Sequence, residues 1–137
     1  MPKFEYFKDG AINPELVDKE AKIWADKFVP KSDPRAGKLK IINSAQLRRF
    51  YGDVKRLETR WLNSAEKKKT FSEILPMIKL LKAKSAYAYK RDLVPDSFRE
   101  WIWDNVDQIH EEKDFKAFLL YFEAVVGFCY GNGLRDK

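Results

Sequence analysis

Arginine and lysine are the residues of this sequence whose number and spacing point to chemistry. Between Lys31 and Arg91 stand seventeen basic and five acidic side chains, a balance of +12, whereas residues 92–137 hold five basic and ten acidic, or −5. The whole-chain value of +6 conceals that division. A segment so basic within an otherwise ordinary composition suits a polyanionic partner, and the commonest cytoplasmic polyanion is nucleic acid.

Helical phase arranges these cations further. With Leu47 as origin, Arg49, Arg56 and Arg60 project at about 200°, 180° and 220°, and Arg48 and Lys55 at about 100° and 80°, outside an apolar stripe centred at about 340°. Two basic ridges result. Lys79, Lys82 and Lys90 fall on one side of the following helical segment, and Lys84 and Arg91, seven residues apart, on another. Asp53 and Glu58 are the only acids on the Arg-rich helix. Such ridges reach phosphates at intervals along a backbone, because a guanidinium donates in a planar fork and each neutralised phosphate releases counterion. That grip carries no sequence choice. Base readout needs aromatic platforms as well; helical phase assigns Tyr51 and Tyr87 to the core and leaves Tyr89 as the stacking candidate.

Catalytic and metal chemistry finds little support. One histidine and one cysteine cannot build a histidine–cysteine metal cluster, and no glycine-rich phosphate loop, nucleophile elbow or His-Glu-x-x-His run occurs. His110 lies at an acidic helix end, the setting of a solvated imidazole, and Cys129, in an apolar stretch, is expected to pack as a small core residue. Asp104, Asp107, Glu111 and Asp114 step by three and four, the pattern of a solvated stripe. Glu123 is the one charge within Ala117 to Tyr130, and a carboxylate in a core helix requires a cation, a capping bond or a proton. No catalytic residue, metal ligand or cofactor is therefore expected.

The elements that must position the cations are helices. Asn13-Pro14 starts the first, with Leu16, Ile23, Trp24 and Phe28 inward; Pro30 to Lys38 has no apolar period and is a linker. Asn43 or Ser44 caps the second, along which Leu47, Phe50, Tyr51, Val54, Leu57 and Trp61 share a face. Thr70-Phe71-Ser72-Glu73 has the form of a capping box opening a third, which Pro76 kinks, and along which Met77, Leu80, Leu81, Lys84, Tyr87, Ala88 and Arg91 share a side. Pro95 opens a fourth, with Phe98, Trp101, Ile102, Val106 and Ile109 inward and Trp103 turned away. Asp114 caps a fifth, which Gly131-Asn132-Gly133 ends. No alternating strand pattern or hairpin dipeptide between apolar runs is apparent. The expectation is an all-α, single-domain bundle of about five helices: residues 1–38 form an N-terminal helix and basic linker, residues 39–137 the helical core.

A length of 137 residues with 45% hydrophobic and 15% aromatic content supports one real core and argues against disorder. The single cysteine excludes an internal disulfide, no secretory signal is evident, and the longest weakly charged run is too short to span a bilayer. A cytoplasmic location without membrane attachment is expected.

Three runs carry a resemblance. Ile42-Asn43-Ser44-Ala45-Gln46-Leu47-Arg48-Arg49-Phe50, then Leu81-Lys82-Ala83-Lys84-Ser85-Ala86-Tyr87-Ala88-Tyr89-Lys90-Arg91, then Phe122-Glu123-Ala124-Val125-Val126-Gly127-Phe128 resemble, in order and spacing, the small helical subunit of type III-A CRISPR effector (Csm) complexes. There the first run reads Gln-Ile-Arg-Lys/Arg, the second Tyr-x-x-small-Arg, and the third Glu-Ala before apolar residues. Lys90 departs from it, standing where the family usually has a small residue, and the segment after Phe128 lacks the usual basic residue. The resemblance spans roughly residues 40–131.

The resemblance implies a non-enzymatic subunit that stacks in several copies along the guide RNA–target RNA duplex, beside backbone subunits that hold the guide and cut the target. It transfers phosphate contacts to Arg48, Arg49 and Arg91, with Gln46 as a neighbouring hydrogen-bonding residue; Lys55, Arg56, Arg60, Lys82 and Lys84 join them on charge and helical geometry, with Tyr87 and Glu123 as supports. The implied partners are guide and target RNA, the backbone and large subunits, and copies of the chain itself, including a homodimer in isolation. The competing class is a helical protein-interaction scaffold whose basic faces dock acidic partners without touching RNA.

Overall fold

The computed structural model describes residues 4–30 and 40–135. Most of the linker expected over 30–38 lies outside the described residues. Within them, six α-helices carry the fold, beside one very small hairpin. The hairpin pairs Phe7–Lys8 (β1) with Ala11–Ile12 (β2), Phe7 opposite Ile12 and Lys8 opposite Ala11. Its turn is Asp9-Gly10, at φ 54° and 81°, the left-handed pair that a two-residue hairpin demands and that Asp-Gly supplies readily. The all-α expectation thus holds, with this hairpin as its one local exception.

Asn13 opens the first helical stretch as its spacing predicts. Its side-chain oxygen accepts from the Glu15 amide at 3.1 Å, and Pro14 sits at the first position of a 3-10 turn, Pro14–Val17. α1 follows over Lys19–Phe28, burying Ala21, Trp24, Ala25 and Phe28. Ile23, expected inward, is exposed, because the 3-10 turn shifts the phase on which the inward stripe is counted. α2 runs Ser44–Leu62, capped by Asn43, whose side chain accepts from the Gln46 amide at 3.1 Å. Leu47, Phe50, Val54 and Trp61 are buried, while Tyr51 and Leu57 are half-buried at the edge of the stripe.

The proline-bearing segment is two helices, α3 over Lys67–Lys79 and α4 over Leu81–Lys90, parted at Leu80. Pro76 has no amide to give the carbonyl one turn earlier, and the regular ladder gives way one turn later. The Thr70 capping box does not form. α3 begins three residues sooner, where Ser64 Oγ accepts from the Glu66 amide at 3.0 Å, and Thr70 is buried inside the helix, donating to Ser64 Oγ at 2.6 Å. α4 ends on Asp92, at φ 64°, where the Leu93 amide reaches back to the Ala88 carbonyl at 3.0 Å.

α5, Asp96–Gln108, is the core helix. Phe98, Trp101, Ile102, Val106 and Ile109 are all fully buried, as their spacing predicts, and Trp103 is 36% exposed. The Trp101 indole lies between 5.0 and 6.2 Å from the rings of Phe28, Phe98, Phe118, Tyr121 and Phe122. Tyr6 donates to Asn105 Oδ1 at 2.6 Å and Asn105 donates to the Trp101 carbonyl at 2.8 Å, so a fully buried amide ties the N-terminal segment to α5.

α6, Glu112–Gly131, closes the bundle against α1 and α2. Asp114 is not its N-cap. Glu111 is, and Asp114 occupies the third helical position of a capping box, accepting from the His110 and Glu111 amides at 2.9 and 3.0 Å. Those bonds explain why Asp114 is buried; Asp104 is half-buried, and only Asp107 and Glu111 are exposed in the stripe expected to be solvated throughout. Burial first, then Glu100 and Asp107, raises the Asp104 carboxyl above the ordinary carboxylate range. Gly133, at φ 102°, ends the helix.

Two measurements check this packing. Asp114→Ala strands two amides at the start of α6 and should cost about 1–2 kcal/mol in urea unfolding, with helicity at low denaturant unchanged. Cys129 is fully buried, and burial pushes its thiol up to about 12. It should resist a thiol-specific reagent at pH 8 in the folded protein and react at once in denaturant.

Candidate nucleic-acid interface

α4 packs along α5, while α2 packs against α3 and α6 and reaches α5 through Phe50. That ring meets Phe98 edge-on, centroids 5.1 Å apart. The segment before α2 is pinned at both sides: the Ile42 amide donates to Phe28 O at 2.9 Å and the Asn43 amide to Leu93 O at 3.0 Å. Between the two helices a depression of about 450 Å³ remains, floored by Phe50, Ala88 and Leu93.

Its walls carry the chemistry. Gln46, Arg49, Asp53 and Arg56 follow one another along one flank of α2, and Lys84, Tyr87 and Arg91 along the facing flank of α4. Four cations thus meet one carboxylate, a local balance of +3. Asp53 stands between the walls: Arg56 Nη2 bonds its Oδ1, and Lys84 Nζ lies 3.3 Å from its Oδ2. The Asp53 side chain is 21% exposed, against 71% for Arg56 and 46% for Lys84, so the carboxylate lies deep and the cations lie above it. The Arg56 guanidinium lies back across Gly52, with Nη1 3.4 Å from where a Cβ would stand. Arg91 Nη1 donates to the Tyr87 hydroxyl at 3.3 Å, and Arg49 has no ion-pair partner among the described residues.

The other predicted cations point elsewhere. Arg48 faces a second depression, of about 500 Å³, at the N-terminal end of α2, which it lines with Asn43, Ser44 and Arg135. Lys55 stays with its own helix, 2.6 Å from Glu58 Oε1 and 6.0 Å from the Tyr51 ring; its hydrogen bond to Glu58 raises its pKa. Arg60 reaches Glu73 on α3 at 3.3 Å. Lys82 pairs with Asp107 on α5 and stands 5.2 Å from the Trp103 ring centroid. Of nine predicted residues, the fold therefore gathers Gln46, Arg49, Arg56, Lys84 and Arg91 and separates Arg48, Lys55, Arg60 and Lys82. The two ridges seen on a helical wheel are one groove and several outliers.

The expected scarcity of neutralising acids is corrected in the same way. At least five of the nine stand in ion pairs: Asp53 and Glu58 of α2 take Arg56, Lys84 and Lys55, while Arg60 and Lys82 are met by Glu73 and Asp107, from neighbouring helices that no wheel of α2 or α4 contains. Glu123 is also placed differently. It is exposed on α6, and its partner is the Tyr51 hydroxyl, which donates to Oε1 at 3.5 Å. Burial first, and then the Glu123 charge, raises the Tyr51 phenol. Tyr87 is the feature helical phase misses: assigned to the core, it is 63% exposed. The buried stripe of α4 is Leu81, Ser85 and Ala88, and small residues at two of those three positions hide it from a search for large apolar side chains.

No group of three or more histidine, cysteine, aspartate or glutamate side chains that would hold a metal ion occurs among the described residues. No helix among them is long and apolar enough to cross a membrane. In comparison with known proteins, residues 21–130 match the family model described as Csm2 Type III-A. No curated protein and no solved structure matches. The family match reaches back into α1, further than the runs that carry the resemblance in sequence.

Asp53→Asn removes the groove's one carboxylate and raises its local balance by one. Arg56 and Lys84 are largely exposed, pairs so screened contribute about 0–1 kcal/mol, and asparagine keeps the shape of the half-buried side chain, so the melting temperature should move little. The variant should elute from heparin at higher salt than the parent protein.

Proposed function

The chain belongs to the Csm2 type III-A family, the small subunits of type III-A CRISPR effector complexes, and on that premise we propose that the α2–α4 groove binds RNA through phosphate contacts. The observation that carries this reading is the convergence of Arg49, Arg56, Lys84 and Arg91 on one depression with a single acid. Guanidinium groups donate two parallel hydrogen bonds to a phosphate, and Gln46 beside them adds a neutral donor and acceptor for ribose or phosphate oxygens. The ligand is the guide RNA–target RNA duplex, chiefly its target strand, in antiviral defence. Base pairing there reads the sequence, so the protein needs only shape and charge.

In this reading the subunit is non-catalytic, requires no cofactor, works in the cytoplasm, and sits beside the backbone and large subunits with further copies of itself. Lys55, Arg60 and Lys82 contribute to the basic field at longer range, and Arg48 acts at its own depression near Arg135. The described ion pairs do not oppose the role. Arg56 is 71% exposed, and a phosphate that approaches it replaces a weak, solvent-screened partner with a doubly hydrogen-bonded one.

The test is an RNA-binding salt series on an RNA long enough for several copies, since copies on one strand gain by avidity. Replacing Arg49 and Arg91 together by alanine should lower affinity, and flatten the dependence of log K on log salt by about 0.7–0.9 for each phosphate that the variant no longer neutralises, at unchanged helicity. Unchanged affinity and slope would favour the scaffold reading, in which the basic faces meet acidic protein.

A further inference from the structure

Phosphate contacts alone make the groove indifferent to whether the strand is paired. Tyr87 does not fit that picture. It is the most exposed large aromatic or apolar side chain among the described residues, at 63%, and it stands in the groove wall between Lys84 and Arg91. An aromatic ring left open to water contributes little to folding, whereas a ring beside cations is the usual platform for an unpaired base.

We propose that Tyr87 makes this groove selective for a strand with an unpaired nucleotide, whose base stacks on the phenol ring while its flanking phosphates meet Arg49 and Lys84. The proposal rests on the RNA-binding reading and deepens it. Three observations support it. First, the Arg91 guanidinium stands over the ring 5.7 Å from its centroid and donates to its hydroxyl, which fixes the ring's orientation. The hydroxyl keeps its own proton to give to a phosphate or base oxygen. Second, a volume of about 450 Å³ lies within the range of pockets that take one small ligand, roughly 300–1,000 Å³. Third, the other exposed aromatics stand beside cations that carboxylates already hold, whereas the ion pairs of the described residues give Arg91 no carboxylate. Tyr89 lies 6.0 Å from the Arg99 guanidinium, which Asp96 holds at 2.5 Å. Trp103 stands near Lys82 and Arg99 and donates its indole N–H to the Lys82 carbonyl at 3.1 Å. Both belong to the α4–α5 surface, where Asp107 and Asp96 pair with Lys82 and Arg99.

A paired base cannot reach the ring, because its faces are covered by its neighbours in the duplex. An RNA with one unpaired nucleotide keeps the phosphates of the duplex and adds the stack. Stacking of this kind typically changes affinity by about 5- to 150-fold per base on alanine substitution.

The experiment compares three RNAs of equal length: a single strand, a blunt duplex, and a duplex with one unpaired 2-aminopurine nucleotide. The full chain should bind the first and third more tightly than the second and quench the 2-aminopurine. Tyr87→Ala should weaken binding about tenfold on the first and third, change it little on the blunt duplex, abolish the quench and leave the salt slope unchanged. Tyr87→Phe should keep the stack and most of the affinity. Equal weakening on all three RNAs, no weakening on any, or a phenylalanine variant as weak as the alanine one would overturn the proposal. The two levels separate cleanly: if Arg49 and Arg91 matter and Tyr87 does not, only the stacking falls; if none of the three matters, RNA binding falls with it.

Discussion

The core behind the α2–α4 groove is organised by the packing of Phe98 and Trp101 of α5. Trp101 fills the centre of the bundle and touches rings from α1, α5 and α6, while Phe98 touches Phe28, Phe50 and Phe122. α2 is thus held to the core by Phe50, the same ring that forms part of the groove's floor, and α4 lies along the same helix. The two groove walls are set by the packing of α4 along α5 and of α2 against α3 and α6, with Phe50–Phe98 and the Lys84–Asp53 pair between them. Close-packed interiors tolerate changes to such packing poorly, since a large-to-small substitution in such a core costs about 3–5 kcal/mol. A rigid floor keeps four cations close together although their charges repel.

That repulsion has its own local answer in Asp53. Placed between Arg56 and Lys84 and deeper than either, it draws both inward and leaves Arg49 and Arg91 to the open side. The groove is thereby ordered without being neutralised. The same physics works in the opposite sense on the α4–α5 surface, where Lys82 and Arg99 are matched one to one by Asp107 and Asp96. Position around α4 decides the balance: Lys84 shares Asp53 with Arg56 on the groove side, whereas Lys82 has Asp107 on the other.

Local signals were legible in the sequence wherever a short-range rule decides the outcome. Asn13-Pro14 and Asn43 cap where they should, α5 buries the five residues its spacing assigns, and Gly133 ends α6 in the left-handed region that glycine favours. Competing short-range rules produced the errors at Thr70 and Asp114. Ser64 and Glu111 offered earlier caps, and a capping residue and the third residue of a capping box look alike when only one is seen. Tertiary facts were not legible. That Arg60 parts from Arg49 and Arg56 to meet Glu73, and that Tyr87 faces outward, follow from how α2, α3 and α4 are packed together, which no single helix encodes. The overall +12 segment pointed toward the basic groove while blurring which of its residues share it.

The central claim is that RNA lies along the α2–α4 groove. Ultraviolet cross-linking of the complex that co-purifies with this chain, read by mass spectrometry of peptide–RNA adducts, tests it most directly. Adducts should fall on the peptides that carry Gln46 to Arg56 and Lys84 to Arg91. Recovery of guide RNA with adducts confined to α5 and α6, or of a particle in which this chain carries none, would contradict it.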